Sequence, residues 1–237
     1  MFFMVALFLF SLSGQAMAYF ENGHLIRVIY DRGGTKEIVT DLGAGWDLTS
    51  PTTVHQLFNT NTFSLTDLGI SSWNNVYVAY FAFNVLNPIE GTQNRAWTSG
   101  PEAGQANLAR QWTNFSNGAL GISGSNYQSG VAQNINNQAA GNSYASKYGT
   151  IGRFAGFLPA PGTGDQNLSD LATVGYVDQW IYYYASPNSA ASGTKLFKIR
   201  TKENGTTDIN PVPIPPTVYL LGSGLLGLIG IRRRMTA

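Results

Sequence analysis

Cysteine is absent from all 237 residues. That removes disulfides, thiol nucleophiles, thiol redox chemistry and Cys-ligated zinc, so the core alone must hold whatever fold forms. Charge is scarce too. Asp, Glu, Lys and Arg make up 11% of the chain, less than half of the about 25% usual in soluble domains. Fourteen basic residues stand against thirteen acidic ones, for a net charge of +1. Three of the arginines are Arg232, Arg233 and Arg234, so the chain before them carries −2. A nucleic-acid partner is not expected, because that needs a basic footprint. Histidine occurs only at His24 and His55. No Gly-x-Ser-x-Gly elbow is present; Gly121-Ile122-Ser123-Gly124 has the right company but the wrong spacing. Gly162-Thr163-Gly164 lacks the helix and lysine of a phosphate loop, and the aspartates lack calcium-loop spacing. No cofactor and no catalytic residue is therefore expected.

Gly, Asn, Ser and Thr take the place of the missing charge, and the apolar residues among them recur with the period of strands. Leu25 to Tyr30 and Lys36 to Asp41 flank Asp31-Arg32-Gly33-Gly34-Thr35, a hairpin loop. Phe58 to Leu65 alternates in polarity. Val76 to Phe83 is apolar on both faces, as a strand covered on each side would be. Val174 to Tyr184 is a second such run. In Leu196 to Lys202, Phe197 and Ile199 point one way and Lys198 and Arg200 the other. The expected fold is mainly β, a β-sandwich for which jelly-roll and immunoglobulin-like topologies both fit. Residues 90–151 read as a polar insertion, with helical stretches expected over 102–115 and 127–148. Its recurring aromatics argue against a disordered linker. The expected organisation is a signal peptide at 1–18, the exported domain at 19–203, a linker with a proline motif at 204–217, and an apolar helix at 218–237.

Both ends of the chain read as addresses. An apolar run from Phe2 to Phe10 leads to Ala16-Met17-Ala18, whose small side chains fit a signal peptidase groove, so Tyr19 is expected to begin the mature chain. No Lys or Arg precedes Arg27, so this segment has no basic n-region. At the other end Val212-Pro213-Ile214-Pro215-Pro216 cannot continue a helix or a central strand. Fourteen uncharged residues, Val218 to Ile231, then precede the arginines. As a helix they rise about 21 Å, short of a hydrocarbon core of about 30 Å. The arginine cluster belongs on the cytoplasmic side.

Val212-Pro213-x-Pro215, the run with Leu220, Gly222, Gly224, Gly227 and Gly230, and Arg232 to Arg234 together resemble the PEP-CTERM sorting signal. Ile214 stands where the family's Pro-Glu-Pro has its glutamate, so the likeness is to a Val-Pro-x-Pro form. The resemblance covers roughly a tenth of the chain and leaves the body unassigned. It implies a Gram-negative bacterium that makes exopolysaccharide, and an exosortase-like membrane enzyme that cuts near the proline motif. It also implies a stay in the inner membrane before release to the cell surface or the extracellular space. A permanent C-terminal anchor is the alternative.

Inside the body the candidates are few. Asp165, Asp170 and Asp178 form the nearest acidic cluster, then Asp31, Asp41 and Asp47; beside glycines such residues usually shape turns. Trp46, Trp73, Trp97 and Trp112 each lie near amides or hydroxyls, as sugar-binding rings do. Trp73 and Trp97 have the closest polar neighbours and are the candidate carbohydrate contacts, with core packing as the competing role. The function expected is a non-enzymatic exported surface or matrix protein contacting polysaccharide. A polysaccharide hydrolase would need two carboxyls about 5–9 Å apart in one cleft. A glycosylated structural protein would need neither a cleft nor a ring face.

Overall fold

The computed structural model describes residues 24–43, 50–52, 54–58, 60–84, 95–103, 115, 117–119, 122, 133–148, 154, 158, 164–185 and 193–211. The ladder begins with β1 (Ile26–Asp31) and β2 (Lys36–Asp41), the expected hairpin, paired with Tyr30 opposite Glu37. β4 (Val76–Asn84) runs antiparallel along the other side of β1. Its two faces enter different cores. Val78, Tyr80 and Ala82 join one buried cluster and Ala79, Phe81 and Phe83 the other, as the doubly apolar sequence predicts.

Along its remaining side β4 has two partners. Residues Phe81 to Asn84 pair with β5 (Arg95–Gly100), and Tyr77 to Ala79 pair with β7 (Asp165–Asn167). The change of partner falls at Tyr80, whose N–H donates to Ser99 Oγ at 2.9 Å while that hydroxyl donates to the Gly164 carbonyl. β5 leaves β4 there and continues alongside β8 (Tyr176–Tyr184). Then follow β9 (Thr194–Lys202), β10 (Thr207–Ile209) and β3 (Gln56–Phe58), while β6 (Gln133–Asn137) extends the sheet beyond β2. Every pairing is antiparallel, in the order β3-β10-β9-β8-β5-β4-β1-β2-β6. The hydrogen bonds thus draw one curled antiparallel sheet among the described residues, not the two separate sheets expected of a jelly-roll or immunoglobulin-like sandwich.

The curl is fixed from within. Alternation along β1 turns Arg27 towards the inner core together with Leu25 and Ile29, and its guanidinium is fully buried. Nη1 donates to Thr207 Oγ1 (2.9 Å) and the Gly205 carbonyl (3.3 Å), on and beside β10. Nη2 donates to Thr40 Oγ1 on β2 (3.1 Å), the Asn61 carbonyl just past β3 (2.6 Å) and Gln133 Oε1 on β6 (3.4 Å). One side chain therefore holds both ends of the sheet. Gln133 adds a second tie through Nε2 to the Thr62 carbonyl at 3.0 Å. Gly205 must be glycine: its φ is +80°, and a Cβ would lie 2.4 Å from the Phe63 carbonyl oxygen. The inner core also takes in Phe63, Leu68 and Trp73 around α1 (Leu65–Leu68), and Leu168 and Leu171 at α3 (Leu171–Val174).

A second layer covers part of the outer face. Phe115, Ala119, Ile122, Phe154 and Leu158, with Tyr144 and Tyr148 of α2 (Tyr144–Tyr148), pack on Ile26, Val28, Tyr30, Phe81 and Phe83. Phe81 is the hub, with ring centroids of Phe115, Tyr144, Tyr148 and Phe154 at 6.3, 6.2, 5.4 and 5.8 Å. Gly118 permits this stacking, since a Cβ there would fall 2.3 Å from the Tyr148 ring.

Several sequence expectations are corrected. The stretch 127–148 is not one helix: its described part holds strand β6, a turn and the short α2, because Gln133 to Asn137 complete the ladder beside β2. Among the described residues of the alternating run 58–65 only Phe58 lies in a strand, at the end of β3, and Ser64 and Asp67 form a capping box that starts α1. Of the linker expected at 204–217, residues 207–209 instead form β10 and Thr206 to Ile209 are buried, while 212–217 lie outside the described residues. The described part of the insertion forms a layer on the sheet as well as strands of its ladder. The helix expected at 102–115 and the apolar helix expected at 218–237 lie almost wholly or wholly outside the described residues.

Replacing Arg27 with Ala should lower the unfolding free energy by about 3–5 kcal/mol, from a cavity plus several buried acceptors left unpaired. Urea denaturation at unchanged slope would show it as a lower midpoint. Arg27→Lys should recover only part, because an ammonium has fewer donors and no planar fork. A midpoint unmoved by either change would show that the clasp does not hold the sheet.

Candidate functional site

The part of the outer face that the described second layer does not cover lies over β8, β9 and β10. Side chains of β8 alternate, so Val177, Ile181 and Tyr183 enter the inner core and Tyr176, Asp178 and Trp180 face outward. Opposite them stand Lys202, Arg200 and Lys198 of β9, in register with Tyr176, Asp178 and Trp180 respectively. A register shift at Ile181/Tyr182 then places Tyr182 opposite Lys195. Leu196 and Phe197 both enter the inner core across this bulge. The extra residue reverses the alternation, and Lys195 joins the outward row.

Rings and carboxylates hold these cations in place. Lys195 Nζ lies 3.9 Å from the Trp180 ring centroid and Lys198 Nζ 5.6 Å from it. The Arg200 guanidinium carbon sits 3.7 Å from the Tyr176 centroid. Asp178 accepts from Arg200 Nε and Nη2 at 2.7 and 2.9 Å, with Lys198 Nζ at 3.5 Å. The bond to Asp178 holds the Arg200 guanidinium above its ordinary pKa. Lys202 Nζ meets Asp208 Oδ2 at 2.5 Å, and Lys195 Nζ donates to the Glu102 carbonyl at 3.0 Å. Four cations thus stand beside two carboxylates on one face of the sheet, Asp178 partly exposed and Asp208 buried. The Lys198 and Lys202 side chains remain 32% and 34% exposed.

Two other carboxyl groups are buried beneath the second layer. Asp165 on β7 accepts from the Tyr30 hydroxyl, and from the Tyr144 hydroxyl at 2.7 Å. Burial raises its pKa to about 6. Glu37 on β2 accepts from the backbone N–H groups of Tyr144 (2.7 Å) and Ala145 (3.1 Å), the free donors at the start of α2. Burial raises its pKa to about 7, against the lowering effect of those bonds. Burial likewise raises Tyr30, Tyr144 and Tyr148 above the ordinary tyrosine value. The sequence reading missed Glu37, and its alternation with Ile38 on β2 carried no sign that a helix would sit over it.

The residues singled out from the sequence have other roles. Trp73 is 7% exposed and meets Phe63 edge-on at 5.9 Å; Trp97 is 1% exposed and packs on Tyr183 at 5.4 Å. Neither presents a ring face to solvent, so both are corrected from carbohydrate contacts to core residues. Trp46 and Trp112 lie outside the described residues. Among the aspartates Asp31 shapes its turn, with Gly33 N–H at 3.4 Å from Oδ1, but Asp165 is a buried strand residue. Asp165 and Asp178 serve different partners, tyrosines in one case and Arg200 in the other, and Asp170 precedes α3. His24 Nδ1 lies 2.9 and 3.0 Å from the Asp41 carboxylate, tying the start of β1 to the end of β2, and His55 is exposed. Among the described residues no group of three His, Asp or Glu side chains could hold a metal ion. No described helix is long and apolar enough to cross a membrane. The signal-peptide positions Ala16, Ala18 and Tyr19, and the tail from Val212 to Arg234, lie outside the described residues.

Comparison with known proteins gives no match, whether to a protein-family model, a curated protein or a solved structure.

The buried carboxyls set a pH dependence. Unfolded, each releases its proton at a pKa of about 4. Folded, Asp165 does so at about 6 and Glu37 at about 7. Between these limits the native state binds more protons, so their contribution to stability is full below the unfolded pKa and falls as pH rises through the folded values. The melting temperature should accordingly fall as pH rises over that interval, and Glu37→Gln should flatten the fall towards its upper end. A variant with the native slope would rule Glu37 out as its source.

Proposed function

We propose that the chain is a non-enzymatic β-domain protein, exported by a Gram-negative bacterium through a PEP-CTERM-like tail. At the cell surface or in the extracellular matrix it contacts polysaccharide. Signal peptidase would act at Ala18–Tyr19, and an exosortase-like enzyme at the Val212-Pro213-x-Pro215 motif, with the inner membrane holding the chain in between.

The observation that carries this reading is the join between body and tail. The last strand pairing falls at Ile209, opposite Ile199 and Gln56, and the proline motif begins at Val212. Strand β10 ends at Ile209, two residues before Pro211, and the sorting motif follows at Val212, so the proposed cut falls just beyond the last described strand. The sparing use of charge fits a domain that works among hydrated polymers, where amides and hydroxyls exchange hydrogen bonds with water and sugar alike.

Intact mass of the protein recovered from fractionated cells tests the proposal. The expected species starts at Tyr19, has lost the apolar run 218–231, and is found at the surface or in the medium. A chain truncated after Pro211 should melt at the temperature of that species. Recovery of an uncut chain in the cytoplasm, or a large drop in melting temperature on truncation, would overturn the reading.

A further inference from the structure

We propose that the outer face of β8 and β9 binds an acidic polysaccharide, whose carboxylates are met by Lys195, Lys198, Arg200 and Lys202. The inference rests on the exported reading above for the presence of such a polymer, but on geometry alone for its chemistry.

The row has the shape of a polymer site. Alternate residues on a strand are roughly 6.8 Å apart, and Lys195 to Lys202, set opposite Tyr182 to Tyr176, spans about 20 Å of the sheet. A single small anion would use one of these cations; a chain of several sugars can use all four. The bulge matters here, because it adds Lys195 to a row that strict alternation would end at Lys198.

The rings act as rails for the cations. With ammonium groups at 3.9 and 5.6 Å from its centroid, Trp180 has its faces engaged by lysines, and Arg200 lies over Tyr176. These contacts restrict side chains that would otherwise lose their freedom on binding. The ligand is thus met by charge, with the aromatics preorganising it.

Asp178 decides between polyanions. Ionised carboxylates only accept hydrogen bonds. A nucleic-acid backbone offers it negative phosphates, whereas a uronate polymer offers hydroxyl donors between its carboxylates. A strip of four cations with one partly exposed acceptor therefore matches an acidic sugar chain. The rest of the body, which is net negative before the tail arginines, keeps such a polymer on this strip.

The test uses the full chain with polygalacturonate as the probe, and dextran and single-stranded DNA as comparisons. Polygalacturonate should bind, with affinity falling as salt rises. Changing Lys195 and Lys198 together to Gln should weaken binding about tenfold. Changing both to Arg should preserve it, as should Lys36→Gln with Lys147→Gln at exposed sites elsewhere. Native binding by the double Gln variant, equal binding of dextran, or tighter binding of DNA would overturn the proposal. Failed export would be seen in the fractionation above and would leave this binding intact, so the two ideas fail separately.

Discussion

A guanidinium with neutral acceptors around it holds this sheet in its curl. Burying a charge in an apolar interior is costly unless its donors are met, and Arg27 has five described contacts at 2.6–3.4 Å to do so. The acceptors come from β2, β6, β10 and the turns beside β3 and β10. They converge only if the sheet bends until its two ends approach the same point. Phe63 completes the setting, with its ring centroid 4.8 Å from the guanidinium carbon. Tyr80 extends the polar centre by bonding Thr201 Oγ1 at 2.7 Å. Curvature is thereby tied to satisfaction of one buried cation, and the inner core fills the space that the curvature creates.

Closing the sheet inward leaves its outer face to be covered or used. On β1 and β4 the outward residues are Ile26, Val28, Ala79, Phe81 and Phe83, which must find an apolar partner. The second layer supplies it through Phe115, Tyr144, Tyr148 and Phe154. Two buried carboxyls anchor that layer: Glu37 caps α2 and Asp165 takes the Tyr144 hydroxyl. Along β8 the layer reaches Tyr182 and Tyr184, while Trp180 is only partly buried against it. Below that point the outward residues are polar or charged, and the surface stays open. The boundary between layer and open strip follows the composition of β8 itself.

Much of this was legible in the chain, for reasons that differ by residue. Val76 to Phe83 could be read as a doubly covered strand because nothing polar interrupts either of its faces. Lys198 and Arg200 announced an exposed face because Phe197 and Ile199 alternate with them. Gln133 to Asn137 could not be read as a strand: its pairing with β2 is backbone recognition, and its amide side chains give no hydrophobic period. Residues 207–209 were hidden by length, since three residues carry no period at all. Ser64-x-x-Asp67 was a local helix start that an alternating pattern upstream obscured. Trp73 and Trp97 misled because a polar neighbour in sequence says nothing about which way a ring turns. Arg27 was visible only as an odd charge in a strand, and its partners are scattered from Thr40 to Thr207.

The same distinction explains why the rings beside the proposed binding strip are Tyr176 and Trp180 and not the tryptophans first suspected. A ring inside the sheet earns its place by the area it buries, and Trp97 against Tyr183 does only that. Trp180, at the margin of the second layer, is partly buried against it and also meets what crosses from the next strand. On β9 what crosses is Lys195, Lys198 and Arg200, each near a ring face. Cations placed this way are partly exposed while giving up motion, which is the arrangement the proposed polyanion would meet. Tryptophan and tyrosine here shape the site by holding its charges, and the bulge between Lys195 and Phe197 fixes how many charges there are to hold.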